Sequence, residues 1–456
     1  MLRQFIFLLK LEVGQMLTKT NRKLRCWKGA ASSLALALPL MFISANALAF
    51  EVGVHAHFRW YPNDPDKYLD LIKRYGFTSY RADFPWSGLE QQKGQYVITG
   101  NMQKADQAFN DAQAKFGLNG LLVLAYGNKL YDPSGYPTTP EAIQAFANYA
   151  YWTASKYKGK IKYYEIWNEW TNATAIKPKP RTPPPPEIFV ALVKATAAAV
   201  RKADPNAIVI TGTANPTGTR DPSWVDNIVK LGVLNYVDGF SIHPYSYGND
   251  NYAIRAPEGN LGVVDKFEAR LAKAAGKTVP IYITEIGVPT YDGKGGLSKD
   301  VAAQYVVKYT FLAKSRPFIK GIWWYDLLDD GDNPKINEHR FGLLTRNGQP
   351  KPSMLALSKV ADVARSYSVE KYQVLPGGKI SIALKGNNQH AMLFWQEKPV
   401  AKPASGISSG LRSFMASEAP QNQSATPLKE VQGNTAAPDG DVPVMMRSSA
   451  PIASPW

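Results

Sequence analysis

The run Tyr163-Tyr164-Glu165-Ile166-Trp167-Asn168-Glu169-Trp170 ends an apolar stretch with an amide, a carboxylate and two indoles. That set suits chemistry on a sugar. A carboxylic acid can protonate a glycosidic oxygen, an amide can hold a ring hydroxyl, and an indole can stack on a pyranose face. One Asn-Glu pair says little alone. A second glutamate, Glu285, closes another apolar run, Ile281-Tyr282-Ile283-Thr284-Glu285-Ile286-Gly287. Glycoside hydrolysis uses a pair of carboxyl groups, so the rest of the chain is read as a scaffold that brings Glu169 and Glu285 together.

The elements that must do this alternate. Short apolar runs at Val52–His57, Thr78–Phe84, Leu121–Tyr126, Tyr163–Trp170, Ala207–Thr213, Val237–His243, Ile281–Glu285 and Ile319–Asp326 read as strands. Between and after them, residues 66–75, 101–116, 139–157, 187–202, 222–231, 261–275, 299–315 and 352–366 carry helical spacing. Leu121–Tyr126 is continuously apolar, as a strand buried on both faces should be. Alternating strands and helices predict a parallel sheet, and eight such pairs predict a closed (β/α)8 barrel of the TIM type over residues 50–367. Lys379–Leu384 and Gln389–Trp395 then predict a small β appendage over 368–398. Beyond Pro399 the chain is rich in Ala, Ser, Pro and Gln, and its composition predicts a disordered tail over 399–456.

Barrel chemistry sits at the C-terminal strand ends, which selects candidates. Strand four ends in Asn168-Glu169 and strand seven in Glu285. Strand six ends in His243-Pro244-Tyr245, and strand eight contains Trp323-Trp324-Tyr325. Strand two carries Arg81, with Trp86 soon after, and strand one ends at His55 and His57. Only one of Trp323 and Trp324 is expected to face the site. Glu165 lies four residues below Glu169 and is read as structural. His243 is either a buried hydrogen-bonding residue or a sugar contact, and Trp60, Tyr61 and Trp86 are either cleft platforms or core. His55 and His57 have no cysteine or carboxylate close by in sequence, so no metal is expected. No cofactor is expected either.

These motifs carry a resemblance. "EIWNEW", "FSIHPY", "ITEIG" and "GIWWYDL" resemble the strand-end motifs of glycoside hydrolase clan A. "GVHAHF", "YRADFPWSGLEQQKGQY" and "RFGLLTRNGQPKPS" point to the family 39 and family 5 side, and within it to bacterial endoglycosidases that cut exopolysaccharides. The resemblance spans Glu51 to Ser366. It implies a retaining β-glycosidase with Glu169 as acid/base and Glu285 as nucleophile. It further implies Asn168 on the 2-hydroxyl, Tyr245 and Arg81 on Glu285, and Trp324 under the attacked sugar, with His243, Trp86 and His57 as further substrate contacts. An acid needs a raised pKa, which Trp167 and Trp170 are expected to supply. The other readings are an exo-acting β-glycosidase, such as a xylosidase, and a non-catalytic glycan-binding barrel.

The first 49 residues read as an export leader. Arg22, Lys23, Arg25 and Lys28 precede an apolar run from Ala30 to Ile43, and Ala47-Leu48-Ala49 gives a small-x-small cleavage pattern. Cleavage after Ala49 predicts a periplasmic or secreted protein without stable membrane insertion. The other reading is an uncleaved anchor, for which the run is short. Cys26, the single cysteine, falls inside the leader, so no disulfide is expected in the mature chain. The formal charge is +16, but seven of the cations lie in the leader against Glu12. With no dense basic run, nucleic acid is not an expected partner, and a polysaccharide or oligosaccharide is. A monomer is expected. After strand four, Lys177-Pro178-Lys179-Pro180-Arg181 and Pro183 to Pro186 form a stiff basic stretch, either a bank of the cleft or a spacer.

Overall fold

The computed structural model describes residues 50–177, 182–218, 222–397, 428–432 and 441–456. The leader and residues 178–181 of the proline-rich basic stretch lie outside the described residues. The described residues form one compact unit.

Eight parallel strands close a barrel in sequence order: β1 (Glu51–His55), β2 (Ser79–Asp83), β3 (Asn119–Leu124), β4 (Ile161–Ile166), β5 (Ile208–Ala214), β6 (Gly239–Ile242), β7 (Ile281–Ile286) and β8 (Ile319–Trp324), with β8 paired back to β1. Eight helices follow the strands: α1 (Pro65–Arg74), α2 (Met102–Phe116), α3 (Pro140–Lys156), α4 (Pro186–Ala203), α5 (Pro222–Lys230), α6 (Pro257–Ala275), α7 (Lys299–Lys314) and α8 (Pro352–Ser366). The starts are written locally. Asp64 and Thr139 each accept a backbone N–H of the first turn and are followed by proline, while Ser298 caps α7 in the same way. α2 ends on Gly117, whose φ of 64° few other residues adopt. Among the described residues no helix is long and apolar enough to cross a membrane.

Strand alternation divides the side chains into two layers. Leu121, Val123, Tyr163, Ile210, Tyr282 and Trp323 fill the barrel interior. Trp323 fits because Gly53 on the neighbouring strand has no side chain, and a Cβ there would fall 2.2 Å from the indole. The residues of opposite parity pack under the helices. The barrel is thus a filled core closed below, with its open end at the strand C-termini.

After α8 a five-stranded sheet is added: β9 (Ser368–Leu375), β10 (Lys379–Gly386), β11 (Gln389–Gln396), β12 (Lys429–Gln432) and β13 (Val444–Ser448), in the order β9-β10-β11-β13-β12. The appendage is therefore larger than the hairpin legible in sequence. Of the segment expected to be disordered, residues 399–427 and 433–440 lie outside the described residues. The described remainder supplies two strands, because Val444, Met445 and Met446 are apolar enough to be buried beside β11.

Candidate active site

The barrel mouth holds a cavity of about 470 Å3, within the range of sites that take small ligands. Glu169 and Glu285 both line it. β7 runs straight to Glu285, but β4 stops at Ile166, and the chain then turns through two non-glycine residues in the left-handed region, Trp167 (φ 67°) and Glu169 (φ 49°). That conformation costs of order 1–3 kcal/mol per residue and persists only where surroundings fix it. Here they do: Trp167 N–H donates to Leu124 O at 2.9 Å, and Glu169 N–H donates to Thr213 Oγ1 at 2.6 Å. The turn sends Trp167 out among Tyr136 and Phe146 and leaves Asn168 and Glu169 in the mouth.

Arg81 is the hub. It is 1% exposed, and a buried cation requires partners. Its Nε donates to Glu165 Oε2 at 2.7 Å, its Nη2 to Asn168 Oδ1 at 2.9 Å, and its Nη1 to His55 Nδ1 at 2.9 Å and to Glu285 Oε1. Glu165 lies one layer below the cavity and also accepts from Thr284 Oγ1 at 2.7 Å, which is the structural place expected for it. Asn168 Nδ2 in turn donates to Tyr126 OH at 3.2 Å. Tyr245 OH donates to Glu285 Oε2 at 3.2 Å.

His243 stands behind both glutamates instead of in the cavity wall. It is 1% exposed, with Nδ1 at 3.1 Å from Glu169 Oε1 and 3.7 Å from Glu285 Oε2, and Nε2 at 3.1 Å from Thr284 Oγ1. One carboxylate oxygen of Glu169, one of Glu285 and a nitrogen of His243 all lie within 4.8 Å of one another. Burial pushes the Glu169 carboxyl up, but the His243 bond and charge and the Thr174 hydroxyl outweigh it and bring it down to about 2. Burial likewise lowers His243, and the charge of Glu285 and the bond to Glu169 overcome this and raise it. The raised acid expected from Trp167 and Trp170 is therefore not the resting state. Both indoles are fully buried, and the carboxyl's polar neighbours decide its charge.

Two expected sugar platforms are corrected. Trp86 is fully buried, stacked between Tyr131 and Tyr149. Trp324 is 1% exposed and packs on Tyr305 and Tyr309 of α7, where its Nε1 donates to Thr310 Oγ1 at 3.3 Å. Trp323 points into the barrel and Trp324 out of it, so by alternation the next residue, Tyr325, reaches the cavity. Trp60 is the exposed indole, 66% accessible on the cavity edge. His57 lines the cavity as expected. Sequence reading passed over Arg59, Asp83, Tyr126, Thr174, Tyr247, Glu338 and Phe341, all in the wall. Tyr126 and Asp83 had a signal, at the ends of apolar runs; the others sit in loops that carry no period.

A protein-family model, cellulase (glycosyl hydrolase family 5), matches residues 45–325. No curated protein matches. Among solved structures, a family 39 glycoside hydrolase from the gut symbiont Bacteroides cellulosilyticus WH2 aligns over 77% of this chain and 71% of its own, with 26% identity and a TM-score of 0.62. A family 5 subfamily 18 variant from Streptomyces cattleya, in complex with Manβ1-4GlcNAc, aligns over 70% and 81%, with 17% identity and a TM-score of 0.54. Xylanase 10B from Thermotoga maritima shares the fold at 18% identity and a TM-score of 0.51, over 70% and 96%. With two glutamates facing each other in the mouth of a (β/α)8 barrel and the family model covering the barrel from its first strand to its last, the chain belongs to the cellulase family, glycosyl hydrolase family 5, and is a clan A glycoside hydrolase.

Proposed function

We propose that this glycosidase is an exported, retaining, endo-acting β-glycosidase of polysaccharides, with Glu285 as nucleophile and Glu169 as acid/base. The observation that carries the reading is the approach of one oxygen of each carboxylate to within 4.8 Å of the other. Retaining pairs stand about 5–5.5 Å apart, whereas inverting pairs need about 6.5–9.5 Å to admit a water. Their surroundings divide the roles. Glu285 accepts from Arg81 and Tyr245, which hold both of its oxygens in place facing the cavity, as a nucleophile should be held. Glu169 accepts from His243 and Thr174, so a proton is stored beside it on the imidazole. Glu285 attacks the anomeric carbon, the aglycone oxygen leaves with the proton from Glu169, and Glu169 then takes a proton from the water that releases the sugar. Asn168, oriented by Arg81 and Tyr126, is placed to hold a ring hydroxyl.

Trp60 supports endo action, since an exposed indole at the cavity edge offers a stacking face for a sugar beyond the cleavage point. The wall cations Arg59 and Arg81 are both bonded to carboxylates, which favours a neutral glycan over an anionic one. Of the basic stretch after β4 only Lys177 falls among the described residues at its start, so it adds no argument.

Glu285→Ala tests the assignment. Turnover should fall by at least about 10^4-fold, the scale of losing a covalent nucleophile, and azide should restore it with formation of the inverted glycosyl azide. Glu169→Ala should slow poor leaving groups far more than activated aryl glycosides. Parent rates in either variant on polysaccharide overturn the roles. Oligosaccharides of mixed length early in digestion of a polysaccharide panel support endo action, and release of monosaccharide alone overturns it. Export predicts mature protein that begins at Phe50, read by N-terminal sequencing; accumulated protein that retains the leader sinks that part.

A further inference from the structure

The loops after β1 and β8 place three metal-ligand groups together beside the cavity. A ring nitrogen of His57, a carboxylate oxygen of Asp326 and one of Asp330 all lie within 4.8 Å of one another. Asp326 is 1% exposed, and neither of its oxygens has a hydrogen-bond partner. A carboxyl buried without partners costs several kcal/mol as an anion. Lys351, the cation that acts on Asp326, has its ammonium at 2.6 Å from Asp329 instead. His57 Nε2 is also buried and unpartnered.

From Asp326 Oδ2 to His57 Nε2 the distance is 3.7 Å. That is too long for a hydrogen bond. Two ligands each about 2.1 Å from one ion stand about 2.9 to 4.2 Å apart, depending on the angle at the metal, and 3.7 Å falls in that span. We propose that His57, Asp326 and Asp330 form a binding site for a first-row divalent cation such as Zn2+ or Mn2+. The donor set selects the ion: an imidazole with two carboxylates suits borderline transition metals better than Ca2+ or Mg2+, which prefer oxygen throughout. His57 also lies near a second acidic group, in a cluster with His55 and Asp83. There Asp83 is already bonded to Arg59 at 2.7 Å, and His55 is bonded to the Arg81 guanidinium, whose charge repels a cation.

Without an ion, burial and the negative charges of Asp330 and Asp329 push the Asp326 carboxyl well above its usual range. A bound cation reverses that balance and holds it ionised. The ion would tie the β1 and β8 loops together on the wall that carries His57 and Tyr325. His57 comes from the loop after β1 and both aspartates from the loop after β8, so the complete site forms only on folding, and binding should stabilise the folded state.

Calorimetry on untagged protein stripped with a chelator tests this without reference to turnover. Zn2+ should bind at one equivalent with a Kd of micromolar or tighter and raise Tm by several degrees. Mn2+ should give an altered electron paramagnetic spectrum at the same stoichiometry. Asp326→Asn should weaken Zn2+ binding at least tenfold. Asp330→Asn, at an exposed position where the substitution leaves the packed core untouched, should weaken it in the same direction. Absence of stoichiometric Zn2+ binding, equal binding in the parent and both variants, or a response to Ca2+ alone overturns the proposal.

Discussion

His243 decides the charge of Glu169 at rest. It meets Glu169 at 3.1 Å and Glu285 at 3.7 Å and is buried. The pair Glu169 and His243 carries one proton, which the resting site keeps on the imidazole and the reaction needs on the carboxyl. Such coupled groups titrate as a unit. The folded Glu169 lies at about 2, below its usual 4.5, so its contribution to stability is present above 4.5 and is lost as pH falls toward 2. The folded His243 lies above the usual 6.5, so its contribution is present below 6.5 and is lost as pH rises through the raised value. Both are in force between 4.5 and 6.5. His243→Gln should therefore lower Tm most in that window, by a few degrees for about 1–2 kcal/mol, and less toward pH 2 or above neutrality. Differential scanning calorimetry of parent and variant across pH measures it. A difference in Tm that does not vary with pH would mean the imidazole is held there by packing alone.

Element by element, strand period governs which residues reach the sugar. Glu285 and Arg81 were legible because each lies on a regular strand whose end must face the mouth. The ends of strands four and eight were harder. After Ile166 the left-handed Trp167 breaks the alternation, so parity alone cannot place Asn168 and Glu169; their chemistry did. In Trp323-Trp324-Tyr325 the alternation persists, but the sequence does not say which parity faces inward. The register with β1, which sets Trp323 beside Gly53, settles it. Helix α7 then receives Trp324. Trp324→Ala should destabilise the fold by about 3–5 kcal/mol, the cost of emptying a buried indole site, with similar proportional loss on short and long substrates once folding is allowed for. Tyr325→Ala should instead raise KM while leaving Tm within a few degrees. Denaturant unfolding and steady-state kinetics on both variants separate the roles, and a selective KM effect from Trp324→Ala with unchanged stability would restore it to the site.

For the molecule as a whole, the end of the chain belongs to the folded body. Composition alone marks residues 399–456 as unable to order themselves, and that averaging hides the short run Val444-Met445-Met446. A strand needs only such a run when an edge is ready to pair with it, and β11 offers one that exposes Met392 and Phe394 on the same face. Arg447 then bonds Asp362 of α8 at 2.6 and 3.2 Å, and Lys308 of α7 bonds Asp441, so the last strand is fastened to the barrel's helices as well as to the sheet. Burying Val444, Met445 and Met446 contributes about 1.5–3 kcal/mol each. A chain ending at Glu397 should lose on that order in total, with Tm lower by about 10 °C or more and increased binding of an apolar dye to the uncovered face of β11. The cavity wall is built from residues before Gly342, so kcat on an aryl glycoside at low temperature should stay within about twofold of the parent, because nothing that touches the reacting atoms has been removed. Unchanged Tm after truncation would show that the strand adds no stability. A large loss of kcat with the fold intact would mean that the sheet acts on the barrel mouth through the helices it grips.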